Sequence, residues 1–356
     1  MKLLIAGGGT GGHVFPALAV ARAWLGRDAE REVVIVGTQR GLEATLVPQA
    51  GLPLETVRAA GLKGIGGLRL LRNLGMLFPA LWDSAAILRR HSVVAAFGVG
   101  GYAAGPMMLA AALASVPAVI FEPNAEPGFT NRLLAVMVAR VATAYPGPAS
   151  RWGRKAAVTG CPVRREFFDS PAREHTPPFR LLITGGSQGA LAINRVVVDA
   201  LDVLATHQER LSIVHQTGER DYNAVRVAYA RREIQAEVLP FLTNMPERFA
   251  QADLIVCRSG AITTAEVAAA GRAAIFIPFG RATDSHQLRN AQVLEQAGAA
   301  RLIPESELTP QRLVSEIFSL LDHPERMTEM EMRARQFARP RAAEDIVDLI
   351  EQVIRQ

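Results

Sequence analysis

Two glycine-rich stretches hold most of the chemical information in this chain. Gly7-Gly8-Gly9-Thr10-Gly11-Gly12-His13 and Gly185-Gly186-Ser187-Gln188-Gly189-Ala190 each follow a short apolar run and precede residues with helical apolar spacing. Glycine lets the backbone turn with positive φ and lets a ligand come close, while the helix that follows offers unpaired N–H groups and a partial positive charge. Such a turn suits phosphate; it also serves as a plain strand-to-helix connection. Spacing tests two familiar versions. A P-loop ends in Gly-Lys-Ser/Thr, whereas Gly12 is followed by His13 and Val14, which excludes it. A dinucleotide fold prefers an acid after the second strand for the ribose hydroxyls, whereas Val36 is followed by Gly37-Thr38-Gln39, so that reading is disfavoured.

Other side chains stand where chemistry is done in such sheets. Ser187 is placed to donate to a phosphate oxygen or to cap its helix. Arg258-Ser259-Gly260-Ala261-Ile262-Thr263-Thr264-Ala265-Glu266 opens a helix at the end of another strand. Glu266 can accept two hydrogen bonds from a ribose diol or simply offset the helix dipole. Gln287, near the start of the next helix, can bond sugar hydroxyls. Glu122-Pro123-Asn124 follows an apolar strand, and both polar side chains are expected to project from the top of the sheet, Glu122 as a candidate base and Asn124 as a hydroxyl binder; capping of the loop is the alternative. The chain has no Asp-x-Asp pair to hold a diphosphate through a metal, so no metal and no cofactor are expected, and helix dipoles with backbone N–H groups are left to stabilise a leaving diphosphate.

These residues need a scaffold of parallel strands. Short apolar runs at 2–6, 32–36, 93–97 and 118–121 alternate with helices, and the pattern restarts at 180–184, 212–216, 237–242, 254–257 and 274–278. The Pro- and charge-rich stretch 169–178 lacks apolar periodicity and reads as a linker. The expected fold is α/β, with two doubly wound parallel-sheet domains facing a cleft, over 1–163 and 164–340, and a last helix within 341–356. A length of 356 residues accommodates two such cores, and 49% apolar with 21% charged residues is a globular composition. Of the 39 basic residues only Lys2, Lys63 and Lys155 are lysine. The arginines suit anionic partners, although arginine-biased codon usage gives the same count, and no nucleic-acid partner is expected. Cys161 and Cys257 suggest neither a disulfide framework nor a metal site. No signal peptide and no spanning helix are expected. One segment is peculiar. In 62–90, Leu74, Leu77, Phe78, Leu81 and Trp82 lie among Lys63, Arg69, Arg72, Arg89 and Arg90. That mixture fits association with an anionic membrane surface or a buried helix after a loop.

Between Leu4 and Leu302 the chain resembles the MurG family, the peptidoglycan N-acetylglucosaminyltransferases that convert lipid I to lipid II. The resemblance is carried by Gly-Gly-Thr-Gly-Gly-His-Val-Phe-Pro at 8–16, Gly-Gly-Tyr at 100–102, Thr-Asn-Arg at 130–132, Pro-Val-Arg at 162–164, Gly-Gly-Ser-Gln-Gly-Ala at 185–190 and Cys-Arg-Ser-Gly-Ala at 257–261. It implies a GT-B architecture of two Rossmann-like domains, the last helix returning to the first. It implies transfer of GlcNAc from UDP-GlcNAc to the C4 hydroxyl of MurNAc in lipid I, with inversion. By resemblance, Thr10, Gly11, Gly12, Asn124 and Arg164 contact the donor, Ser187 its phosphates, Leu242 the uracil through its backbone, Ala261, Ile262, Thr263, Thr264, Ala265 and Glu266 the nucleotide, and Gln287 the sugar. His13 is implied in catalysis or acceptor binding. The family's usual His-Glu-Gln-Asn reads Phe121-Glu122-Pro123-Asn124 here, a stiffer loop that keeps Glu and Asn. A peripheral location on the cytoplasmic face of the cell membrane and partners in cell-wall synthesis and division follow from the same resemblance. A UDP-GlcNAc 2-epimerase and a non-catalytic nucleotide-sugar-binding subunit are the competing readings.

Overall fold

The computed structural model of the chain describes residues 1–39, 41–58, 77–280 and 285–356. It divides into two compact units, 1–163 with 339–356, and 164–338. The first opens with β1 (Lys2–Gly7), α1 (Gly11–Leu25), β2 (Glu32–Gly37), α2 (Glu43–Gln49) and β3 (Leu54–Thr56). It continues through α3 (Leu77–His91), β4 (Ala95–Gly100), α4 (Ala104–Leu113), β5 (Ala118–Glu122), α5 (Phe129–Met137), β6 (Arg140–Thr143), α6 (Pro146–Trp152) and β7 (Ala156–Val158). The second contains β8 (Phe179–Thr184), α7 (Leu191–Ala205), β9 (Leu211–Gln216), α8 (Tyr222–Arg231), β10 (Ala236–Leu239), α9 (Met245–Gln251) and β11 (Leu254–Cys257). It ends with α10 (Ala261–Ala270), β12 (Ala273–Phe276), α11 (His286–Gln296), β13 (Arg301–Leu302), α12 (Pro310–Leu321) and α13 (Pro324–Arg335).

Each unit is a parallel sheet flanked by helices, the fold class the sequence predicts. The strand orders are β3-β2-β1-β4-β5-β6-β7 and β10-β9-β8-β11-β12-β13. Strands buried on both faces read as unbroken apolar runs, and Leu3, Leu4, Ile5 and Ala6 of β1 are all fully buried, as are Leu254, Ile255 and Val256 of β11. In each sheet the strand order reverses direction about the first strand. This puts a crevice between the C-terminal ends of β1 and β4 in one unit and of β8 and β11 in the other. The last helix, α14 (Ala342–Ile354), joins the first unit: Ile346, Val347, Ile350 and Val353 are buried, and the helix packs on α1, β4, β5 and β6. Arg31 pairs with Glu351 at 2.8 Å, and Arg27 pairs with Asp348.

The stretch 169–178 is not the loose linker its composition indicates. His175 is buried, with Nδ1 2.9 Å from Asp253 and Nε2 3.5 Å from Glu331. Arg272, fully buried, donates to the Pro171, Phe249 and Ala250 carbonyls and lies 3.6 Å from Glu331, while Asp253 also accepts from the Arg180 amide at 2.8 Å. The partners come from β8, the loop before β11 and α13, so no local pattern announces them. Burial lowers the pKa of His175, but its hydrogen bonds to Asp253 and Glu331 and their charges raise it to about 9. Asp253 is pulled below its ordinary value by His175 and the Arg180 amide, against the effect of burial.

The stabilisation from His175 is therefore complete below its unfolded value near 6.5 and is lost as pH rises through about 9. That from Asp253 is present above about pH 4 and is lost as pH falls through its lowered value. Replacing His175 by Gln should destabilise the second unit by about 3 kcal/mol at neutral pH and remove the loss of stability between pH 7 and 9. Denaturation followed by hydrogen exchange in β8 and β11 across that range checks both effects.

Candidate functional site

The predicted site residues gather at the C-terminal ends of the strands, in two groups, one per unit. In the first unit the turn after β1 delivers Thr10, Gly11, Gly12 and His13. Thr10 occupies the N-cap of α1 with extended backbone, but its hydroxyl meets His13 Nδ1 at 3.3 Å and makes no cap bond. His13 Nδ1 also lies 3.1 Å from the Gly8 carbonyl oxygen. Burial lowers the pKa of His13, opposed by the Gly8 carbonyl and the charge of Glu43, so the imidazole is neutral at pH 7. A neutral imidazole has one bare ring nitrogen able to take a proton.

Glu122, expected to project as a base, does not. It is buried, and its two oxygens accept four N–H groups: Asn124 N at 3.0 Å and Nδ2 at 3.1 Å on Oε1, Gly128 N at 2.9 Å and Asn131 Nδ2 at 2.8 Å on Oε2. A carboxylate so committed organises the 122–131 loop. The expectation that Glu122 projects freely is corrected accordingly, and the loop-capping alternative describes its contacts. Asn124 stays half-buried beside it, tied to Glu122 through both its backbone and its side chain.

In the second unit Ser187 is exposed, and the N-cap of α7 is Ala190, so the capping alternative for Ser187 fails. The turn is held by close backbone packing: Gly189 has φ +70°, and a Cβ there would sit 1.9 Å from the Thr217 carbonyl oxygen. After β11, Gly260 caps α10, and Ala261, Ile262, Thr263, Thr264 and Ala265 form its opening turns. Glu266 lies in the second turn and is buried, away from the exposed N–H groups of the helix start, which disfavours simple dipole compensation. Arg164 Nη2 stands 3.8 Å from Glu266 Oε1, and its guanidinium lies 5.1 Å from the Phe167 ring. Burial raises the pKa of Glu266 to about 7, with Arg164 acting against it. Gln287 Oε1 accepts from the Phe279 amide at 2.9 Å, which leaves its NH2 end as what it offers a ligand. Leu242 is buried in the loop after β10. Among the described residues no group of three or more His, Cys, Asp or Glu is placed to hold a metal ion.

Of the segment read as membrane-associated, Leu74 lies outside the described residues, as does the side chain of Leu77. Phe78 and Trp82, one turn apart on α3, are 81% and 71% exposed. Leu81 instead packs against the core of the first unit, because the helix turns that residue inward, and its membrane assignment is corrected. One residue that the sequence reading did not single out is Glu43. It is fully buried and accepts Gly9 N at 2.6 Å, Thr38 N at 2.8 Å and Thr38 Oγ1 at 2.8 Å. Glu43 does not follow β2 directly but opens α2.

Comparison with known proteins accords with this geometry. The glycosyltransferase family 28 N-terminal domain matches residues 3–143 and the family 28 C-terminal domain matches residues 180–347, so the two units are those of a family 28 glycosyltransferase. A protein of Myxococcus xanthus (strain DK1622), named UDP-N-acetylglucosamine--N-acetylmuramyl-(pentapeptide) pyrophosphoryl-undecaprenol N-acetylglucosamine transferase, is 45% identical over 352 residues, covering 98% of this chain and 92% of that protein. One of the same name from Solibacter usitatus (strain Ellin6076) is 43% identical over 99% of this chain and 96% of its own length. The crystal structure of Acinetobacter baumannii MurG superposes with a TM-score of 0.78 at 34% identity, covering 99% of both chains. The chain belongs to this MurG family. A Neisseria meningitidis UDP-GlcNAc 2-epimerase, at 15% identity and a TM-score of 0.71, shares the fold alone.

Replacing Glu122 by Gln should remove one acceptor oxygen and set an NH2 against the Gly128 or Asn124 amide, loosening the loop by about 2 kcal/mol. Exchange of the Asn124 and Gly128 amides should accelerate at least tenfold by mass spectrometry or NMR; unchanged protection would remove Glu122 from this anchoring role.

Proposed function

We propose that this chain transfers N-acetylglucosamine from UDP-N-acetylglucosamine to the lipid-linked N-acetylmuramyl-pentapeptide that its relatives' name specifies, at the C4 hydroxyl of MurNAc, to form lipid II. The observation that carries the reading is the 45% identity that runs through both domains of proteins so named. The epimerase reading has no comparable support.

The second unit takes the donor. Backbone N–H groups of the turn after β8, with Ser187, receive the diphosphate. Glu266, on α10, accepts from the ribose hydroxyls, with Arg164 beside it, and Gln287 reads the sugar. In the first unit His13 takes the proton of the attacking hydroxyl as its oxygen bonds to the anomeric carbon. The bond to UDP breaks on the opposite side, which inverts the configuration. Charge developing on UDP is met by helix N-termini and backbone donors. No helix of the described residues is long and apolar enough to cross a membrane. Phe78 and Trp82 support contact of the first unit with an anionic lipid surface, on the cytoplasmic face where such a lipid substrate is built, without crossing it. Proteins of cell-wall synthesis and division are further candidate partners.

Labelled UDP-GlcNAc incubated with a short-chain lipid I analogue should give a lipid-linked disaccharide without added divalent metal. UDP release without lipid product, or formation of UDP-ManNAc, would overturn the reading. For the lipid surface, Phe78→Glu combined with Trp82→Glu should weaken binding to anionic liposomes at least tenfold while leaving UDP affinity intact. Unchanged liposome binding removes α3 from that role.

A further inference from the structure

His13 and Glu43 are joined through a single peptide unit. The Gly8–Gly9 peptide donates its N–H to Glu43 Oε2 at 2.6 Å and turns its carbonyl oxygen to His13 Nδ1 at 3.1 Å. A carbonyl only accepts, so this contact puts the proton on Nδ1 and leaves Nε2 bare. Glu43 is built in tightly. Cβ atoms on Gly8, Gly37 and Gly41 would lie 2.2, 2.4 and 2.0 Å from its side chain, so three glycines enclose it. Burial raises its pKa, but the Gly9 and Thr38 amides and the Thr38 hydroxyl more than offset this and keep it ionised.

We propose that Glu43 is a positioning residue for the transfer reaction: through the Gly8–Gly9 peptide it fixes His13 in the tautomer that carries its proton on Nδ1, with Nε2 ready to accept one. A charged acceptor on the N–H side of a peptide polarises it and strengthens its carbonyl as an acceptor, because hydrogen bonds in a chain reinforce one another in a buried site. The geometry resembles a carboxylate–histidine pair with an amide inserted between the partners. Glu43 is the charged group that acts on His13; of the charged groups on elements around α1, Glu351 and Asp348 of α14 pair with Arg31 and Arg27, and Glu32 of β2 with Lys2. β4 contributes no ionisable side chain, and Gly100 at its end lies against the imidazole. The proposal rests on the reading of His13 as the proton acceptor.

The first test needs neither substrate nor a change at Glu43. In the full chain labelled with 15N-histidine, the His13 signal, assigned by its loss in His13→Gln, should show a neutral ring protonated at Nδ1. Protonation at Nε2 overturns the proposal. Glu43→Gln removes the negative charge that raises the pKa of His13, so the acid limb of kcat/KM should move to lower pH. It should lower kcat at least tenfold, change donor KM by less than about threefold and mix the two tautomers, with Glu43→Asp recovering part of each. An unmoved acid limb with an unmoved tautomer refutes the role. If Glu43→Gln does not fold, Thr38→Val keeps the carboxylate but removes one of its donors; it should partly mix the tautomers, and the wild-type ratio would refute the proposal. An Nδ1-protonated His13 in a chain that makes no lipid-linked product overturns the reading of the reaction and leaves the relay standing.

Discussion

At the end of β1 the backbone of Gly101 lies so close to Gly8 that a Cβ on it would stand 2.2 Å from the Gly8 carbonyl oxygen. Backbone packed on backbone is the constraint around which the first unit is arranged. It brings the turn after β4 against the turn after β1, seals one side of the peptide that faces His13, and leaves room beneath for a single carboxylate. The same kind of approach, Gly189 on Thr217, shapes the turn after β8 in the second unit. Side chains of any size would push these turns apart and leave the strand ends without fixed edges.

The two units share one topology but present different groups at the ends of their strands. In the first, the switch point holds an ionisable ring kept neutral by burial, with an ionised carboxylate one peptide away. In the second, the switch point offers backbone N–H groups and a buried carboxylate beside an arginine. One is suited to moving a proton, the other to holding an anion and its attached hydroxyls. A parallel sheet permits this because every strand ends at the same edge, and the turns there vary while the core stays fixed.

The fold and both glycine turns were legible in the sequence because apolar runs and glycine spacing are local. The approach of Arg164 to Glu266 was not legible: resemblance named each as a donor contact, but a separation of 102 positions follows no rule of spacing. Glu43 was not legible: it reaches back from α2 to a turn more than thirty residues earlier, and an acid in a first helical turn is ordinary. Glu122 looked like a base because strand position says where a side chain begins and not which amides will surround it. The stretch 169–178 looked like a linker for the same reason. The partners that bury His175 arrive from β8, the loop before β11 and α13, and composition cannot report partners that distant.

The closing helix α14 has a consequence for synthesis of the chain. Residues 1–163 and 339–356 make one body, with 164–338 threaded between them. As the chain leaves the ribosome, the sheet β1–β7 emerges early, yet the surface on α1, β4, β5 and β6 that α14 covers stays bare until residues 342–354 are made. The inner unit is contiguous and can complete its core while the outer one still waits. The unit begun before the inserted one is therefore completed after it, and its exposed apolar face is a part of the nascent molecule in need of shielding.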